Sequence, residues 1–98
     1  MSNWEKTTIF FGTFKEGNTV RMIFRGTSSL PKVKQFVGSC GCTDFKFNEN
    51  NKELSVKLSI NKIPPQVVTN YMDIHKTITA HYEDGTSEVL HIKGIITK

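Results

Sequence analysis

Two cysteines separated by one glycine are the residues of this sequence with the clearest chemical potential. Cys40-Gly41-Cys42 can act as a redox pair or supply half of a metal site. In an extended chain the two side chains point the same way about 7 Å apart, whereas a disulfide needs Cβ atoms about 3.8 Å apart. Gly41 would have to fold the chain sharply, and a structural zinc site needs about four ligands. Three interpretations stay open: structural thiols in a tight corner, a redox pair, or a metal half-site.

The three histidines are the candidates to complete such a site. The strand register derived below puts His75, His81 and His91 on one outer sheet face. It places His91 opposite Thr77, four residues or about 13 Å from His81. We therefore expect the histidines not to converge on each other, and we predict no metal and no cofactor.

Catalysis would need a nucleophile, a base and an orienting group close together. Nothing in the sequence places a cysteine beside His75, and no glycine-rich phosphate loop occurs. Most of the acidic residues considered fall at turns or exposed positions, where solvation explains them: Asp44, Glu49, Glu53, Asp73, Glu83, Asp84 and Glu88. The sequence predicts a protein that is not an enzyme.

The segments that carry these residues alternate with a period of two. In residues 54–60 every even position is aliphatic and every odd position is polar. A strand with one buried and one exposed face has this pattern, whereas a helix would scatter the same apolar groups around its axis. The sequence therefore predicts a strand at 54–60.

A hairpin is predicted in the last third of the chain, from segments 74–82 and 87–96. Pairing Ile78 with Leu90 on the inner face leaves a three-residue loop that ends at Gly85. Glycine at that position can take the left-handed conformation that such loops require.

Shorter alternating segments precede this hairpin, and a parity slip between Val33 and Phe36 indicates a bulge in one of them. Together they predict an all-β fold, an immunoglobulin-like β-sandwich of about seven antiparallel strands. Ninety-eight residues suffice for one domain over 1–98, with residues 1–6 as a candidate flexible arm. The remaining predicted strands lie at 7–11, 19–25, 32–37 and 44–47.

Charge and composition narrow the class of partner. The formal net charge is +4, but the lysines are spread in ones and twos, whereas nucleic-acid binders usually concentrate positive charge in a stripe. No apolar signal segment opens the chain, and no stretch approaches the roughly 20 apolar residues of a membrane span. We expect a cytoplasmic protein that binds neither membranes nor nucleic acid.

The aromatic residues are the candidates for a binding surface. Seven phenylalanines exceed what a small core needs, and Phe10, Phe45 and Phe47 can form an apolar patch that contacts a partner. Trp4 precedes the first strand and can anchor a partner from the N-terminal arm. Core packing is the alternative for each of the four.

Several segments resemble one bacterial and phage domain-of-unknown-function family. That family is marked by an SCGCT motif and is related to the Hydin and major-sperm-protein-like immunoglobulin domains. The matching stretches are Phe-Gly-Thr-Phe-Lys-Glu-Gly at 11–17, Gly-Ser-Cys-Gly-Cys-Thr at 38–43, His-Lys-Thr-Ile-Thr at 75–79 and Leu-His-Ile-Lys-Gly at 90–94. The resemblance covers nearly the whole chain, from about residue 9 to 96.

The resemblance implies a seven-stranded immunoglobulin-like sandwich that serves as an interaction or assembly module without catalytic activity. Many family members carry an export signal or lipid anchor, which is not seen here. The acidic, proline-rich segment that often follows the motif is replaced by Asp-Phe-Lys-Phe-Asn at 44–48. By analogy, a short unexported copy suits a bacteriophage virion component, such as a capsid decoration or head–tail assembly protein. Its partners would be capsid or other virion proteins or further copies of itself, and the alternative is a thiol-based redox or metal protein using Cys40 and Cys42.

Overall fold

The computed structural model describes residues 3–39, 43–66 and 68–98. Within these ranges the chain forms no helix, and hence none that could cross a membrane. The all-β fold predicted from the alternation is confirmed. The strands are β1 (Thr8–Lys15), β2 (Thr19–Arg25), β3 (Val33–Gly38), β4 (Thr43–Asn48), β5 (Glu53–Ser59), β6 (Tyr71–Tyr82) and β7 (Ser87–Thr97).

The strands form two sheets, with the orders β1-β7-β6-β3 and β2-β5-β4. Immunoglobulin domains, with strands lettered A to G, have sheets ABED and CFG. Lettered in the same way, β2, β5 and β4 form a sheet BED, and β3, β6 and β7 form CFG. The first strand, β1 (A), lies beside β7 (G) in the second of these sheets. The strands β1 and β7 are neighbours in one sheet and run in the same direction, so the β1–β7 pair is parallel. The expectation of purely antiparallel strands is corrected at this one pair.

The core lies between the two sheets and follows the alternation. Leu54, Val56 and Leu58 of β5 are buried, and the residues between them are exposed. The even-numbered residues Ile78, Leu90 and others of β6 and β7 face them from the opposite layer. The most deeply buried large side chains are Trp4, Phe24, Leu54, Ile78, Leu90, Ile92 and Ile96.

The predicted register of the β6–β7 hairpin is confirmed. Ile78 pairs with Leu90, and the three-residue loop ends at Gly85, whose φ is 90°. The Asp84 carboxylate accepts hydrogen bonds from the backbone N and the Oγ1 of Thr86 at 2.9 and 2.6 Å. These bonds lower the pKa of Asp84, since they favour its charged form.

Two bulges shape the edges of the four-stranded sheet. The register of β3 shifts between Val33 and Gln35, which confirms the bulge predicted from parity. A second shift follows Phe10 in β1, where Gly12 has a φ of 93°. We expected the first strand to end at Phe11, but this glycine bulge lets the strand continue to Lys15 because glycine adopts positive φ without steric cost.

The N-terminal segment is attached to the sandwich from Asn3 onward. Trp4 forms a bridge with Gly26 and is only 1% exposed. Its indole ring makes edge contacts with Phe36 and Phe47, which come from different sheets. A flexible arm over residues 1–6 is therefore not seen from Asn3 onward, because the tryptophan closes one end of the core.

Candidate interaction face

The motif Cys40-Gly41-Cys42 lies outside the described residues, so its three interpretations stay predictions. Ser39 and Thr43, which flank the motif, belong to the described residues. Ser39 bonds Thr77 twice: its backbone N donates to the Thr77 carbonyl, and its Oγ accepts from the Thr77 N, at 2.9 and 3.0 Å. Thr43 begins β4 and is buried.

The four aromatic candidates separate into two groups. Trp4 is a core residue, so the exposed N-terminal anchor is corrected to core packing. Phe45 and Phe47 are half-buried and contact Phe36 across the two layers, with ring centroids 6.2 and 5.2 Å apart. Phe10 is 64% exposed and is the only one of the four that presents most of its surface to solvent.

Phe10 belongs to an exposed face of the four-stranded sheet, which we call the β6–β7 face. It consists of the odd-numbered residues of β6 and β7, the side chains of β1 that pair with them at Thr8, Phe10, Thr13 and Lys15, and Gln35 and Val37 of β3. Four exposed large apolar residues share this face: Phe10, Val37, Tyr71 and Val89. Val37 and Val89 flank Thr79 in one cross-strand row, so apolar surface runs across three strands.

The β6–β7 face carries few charges. In its paired rows the charged residues are Lys15, Asp73 and Lys93. On the outer face of the three-stranded sheet the charged residues are Arg21, Arg25, Asp44, Lys46, Glu53 and Lys57, in a smaller area. The cores of protein interfaces are depleted of charge and enriched in aromatic residues, as the β6–β7 face is.

Two histidines meet near the middle of this face, contrary to our expectation. Nε2 of His75 lies 2.9 Å from Nδ1 of His91, and the ring centroids are 5.1 Å apart. One ring must donate and the other accept, so at least one of the two is neutral in this arrangement. His75 pairs with Lys93 and His91 with Thr77, so the two histidines are diagonal neighbours and do not lie directly opposite each other. Long side chains reach across such diagonals.

His81 stands apart from this pair, opposite Gln35 of β3. Over the part of the chain that the structure describes, no three His, Cys, Asp or Glu side chains come close enough together to hold a metal ion. Two imidazoles are fewer ligands than a structural zinc site uses.

A hydrogen-bonded network lies at the loop end of the β6–β7 hairpin and joins Asn3, Trp4, Tyr82 and Glu88. The Tyr82 hydroxyl accepts a 2.8 Å hydrogen bond from Nε1 of Trp4 and donates one of 2.7 Å to Oε1 of Glu88. Oε1 of Glu88 also accepts a 2.6 Å hydrogen bond from Nδ2 of Asn3. Burial, followed by the bond to Glu88, raises the pKa of Tyr82 to about 12. This network connects the N-terminal segment to β6 and β7.

Comparison with protein-family models, with curated proteins and with solved structures finds no match to this chain. The resemblance to the SCGCT family therefore stays a prediction.

Proposed function

We propose that this protein is a non-enzymatic assembly module that packs through its β6–β7 face against a second copy of the chain. The observation that carries this proposal is the contrast between the two outer faces. One is charge-rich, as solvent-exposed sheet surfaces are, and the other exposes Phe10, Val37, Tyr71 and Val89 among threonines and histidines. The Val37–Thr79–Val89 row is the continuous part of this apolar surface, and exposed apolar patches mark interaction sites.

The charge pattern favours a protein partner over a nucleic acid. Phosphate binding depends on concentrated positive charge. The β6–β7 face offers only Lys15 and Lys93 against Asp73 in its paired rows. A weakly charged, β-branched and aromatic surface instead resembles the inner faces of packed sheets, which lie face to face about 10 Å apart.

Two features support a second copy as that partner. With strands about 4.8 Å apart and residues rising about 3.4 Å, four strands that average about nine residues present a face on the order of 600 Å². This is close to the roughly 800 Å² that each partner buries in a standard interface. Packing these faces together also leaves the cationic outer faces of the two copies far apart, so the net charge of +4 opposes association only weakly.

Sedimentation velocity of the purified chain over a concentration series tests this proposal. We expect a concentration-dependent dimer. Val89→Lys should weaken association at least about tenfold, because each copy would bury an unpaired charge in the interface. Ile23→Lys is the matched control, since Ile23 and Val89 are 44% and 43% exposed on opposite faces. A monomer at all concentrations up to about 0.5 mM, or a dimer broken by Ile23→Lys and not by Val89→Lys, would overturn the proposal.

For its biological setting, we propose a bacteriophage virion component, in the capsid decoration or head–tail class. The resemblance described above and the abundance of Lys, Asn and Ile, typical of AT-rich genomes, support this assignment. Mass spectrometry of purified particles encoded by the same genome should find the chain in fixed stoichiometry with the capsid protein. Its absence from such particles, together with a gene position outside the virion genes, would contradict the assignment.

A further inference from the structure

A groove crosses the outer face of the three-stranded sheet, on the opposite side of the sandwich from the β6–β7 face. It has a volume of about 590 Å³ and is lined by residues of β2, β5 and β4. Ser55 of the central strand forms the floor, flanked by Ile23 and Lys46, its cross-strand partners. The small side chain of Ser55 between two longer ones leaves a depression in this row.

Positive charge gathers around this depression. Arg21 lies directly opposite Lys57, and Lys46 is diagonal to Lys57 on the other side. Like charges directly opposite each other on a sheet destabilise it. Asp44 also pairs with Lys57 and offsets part of this repulsion.

None of the three cations forms a salt bridge within the described part of the chain. The ion pair found there is in the next row, where Nη2 of Arg25 lies 3.6 Å from Oε2 of Glu53. Arg21, Lys46 and Lys57 therefore give the groove a net positive charge that Asp44 offsets only in part, although the sequence separates the three cations widely. An anion bound between Arg21 and Lys57 would relieve their repulsion.

We propose that this groove binds an acidic segment of another protein in an extended conformation. Carboxylates of the segment would pair with Arg21, Lys46 and Lys57, and an apolar side chain would cover Ile23. The 44% exposure of Ile23 in the middle of a charged surface is what favours such a mixed ligand. In an extended segment, alternate side chains point to the same side, as this spacing of contacts requires.

Nucleic acid is less suited to the groove. Single-stranded nucleic acids bind by stacking bases on exposed aromatic rings. The aromatic side chain at this groove, Phe45, is half-buried and packs against Phe36 in the core.

This site goes beyond the proposed self-association and is physically separate from it. A dimer formed through the β6–β7 faces would expose one groove at each outer side. Such a dimer could link two acidic segments, and avidity would then strengthen capture. The two proposals fail independently, since peptide binding needs only the three-stranded sheet.

Fluorescence anisotropy tests the groove with a labelled peptide that carries Glu, Leu and Glu at every second position and Ser between them, so that both residue types lie on one side of the extended chain. We expect binding that weakens as salt is raised, because exposed charge pairs are screened. The double variant Arg21→Gln/Lys57→Gln should weaken binding about tenfold. The control Lys32→Gln/Lys62→Gln removes the same charge outside the groove and should change affinity less than about twofold.

Further probes distinguish an acidic peptide from other classes of ligand. A peptide with Gln in place of Glu should bind at least tenfold more weakly, by the same loss of charge pairs. Tighter binding of a single-stranded oligonucleotide or of inorganic phosphate than of the acidic peptide would overturn the proposal. Equal loss in both double variants would overturn it as well. Val89→Lys should bind one peptide per chain unchanged, which distinguishes failure of the groove from failure of the dimer.

Discussion

Nε1 of Trp4 donates a hydrogen bond of 2.8 Å to the hydroxyl of Tyr82, 78 residues along the chain. Both side chains are buried, at 1% and 2% exposure. The bond fastens the segment before β1 to the end of β6, and Glu88 of β7 accepts from the same hydroxyl. The two termini of the hairpin loop and the N-terminal segment are thus joined through one phenol oxygen.

Removing this oxygen should destabilise the protein. Tyr82→Phe keeps the ring and removes the hydroxyl that accepts from the indole N–H of Trp4 and donates to Glu88, which costs about 1–3 kcal/mol. Urea unfolding followed by Trp4 fluorescence measures the change directly. Tyr71→Phe is the control, because Tyr71 is 54% exposed and should change stability by less than about 0.5 kcal/mol. Equal stability of wild type and Tyr82→Phe would show that the network contributes nothing.

The contribution of the Tyr82 hydroxyl to stability should depend on pH in the alkaline range. The pKa of Tyr82 is raised from 10.0 to about 12 by burial, so the folded state holds this proton more tightly than the unfolded state. Its contribution is fully present below pH 10 and is lost as the pH rises towards about 12. The difference in unfolding free energy between wild type and Tyr82→Phe should therefore shrink over this window. A difference that is constant from pH 8 to about 11.5 would contradict the assignment.

Gly94 should tolerate no side chain, for reasons of space. The Phe11 ring lies directly over Gly94 of β7, and an added Cβ would overlap it. Gly94→Ala should lower the unfolding free energy by about 1–3 kcal/mol through overpacking. In a Phe11→Leu background the same alanine should cost less, which a double-mutant cycle by urea unfolding measures. Additive effects would show that the ring is not the cause.

Cys40 and Cys42 give a test of the rival thiol hypothesis. If they are structural thiols, Cys40→Ser/Cys42→Ser should leave self-association unchanged and alter only stability. We expect titration of the purified protein to find two free thiols per chain and metal analysis to find no bound zinc. Loss of function without loss of stability in the double variant would favour the redox alternative and weaken ours.

The sequence predicted most where alternation and turn chemistry act locally. The buried positions of β5 and the register of β6 with β7 follow from a period of two and from one glycine that can take a positive φ. The bulge in β3 followed from parity alone. These features depend on neighbours within one strand or one hairpin.

Contacts between distant segments could not be predicted in this way. Alternation says that β1 is a strand but not which sheet it joins, so its parallel pairing with β7 was missed. The His75–His91 contact depends on a diagonal between strands, and the burial of Trp4 on an acceptor supplied by Tyr82. The cationic groove exists only because the sheet order brings Arg21, Lys46 and Lys57 together.

Dilution of ¹⁵N-labelled protein, followed by amide chemical shifts, tests most directly whether the β6–β7 face is where copies meet. We expect concentration-dependent shifts at Val37, Thr79, Val89 and His91, with little change at Ser55 and its neighbours on the opposite sheet. Shifts confined to β2, β4 and β5, or none up to about 0.5 mM, would contradict self-association through this face.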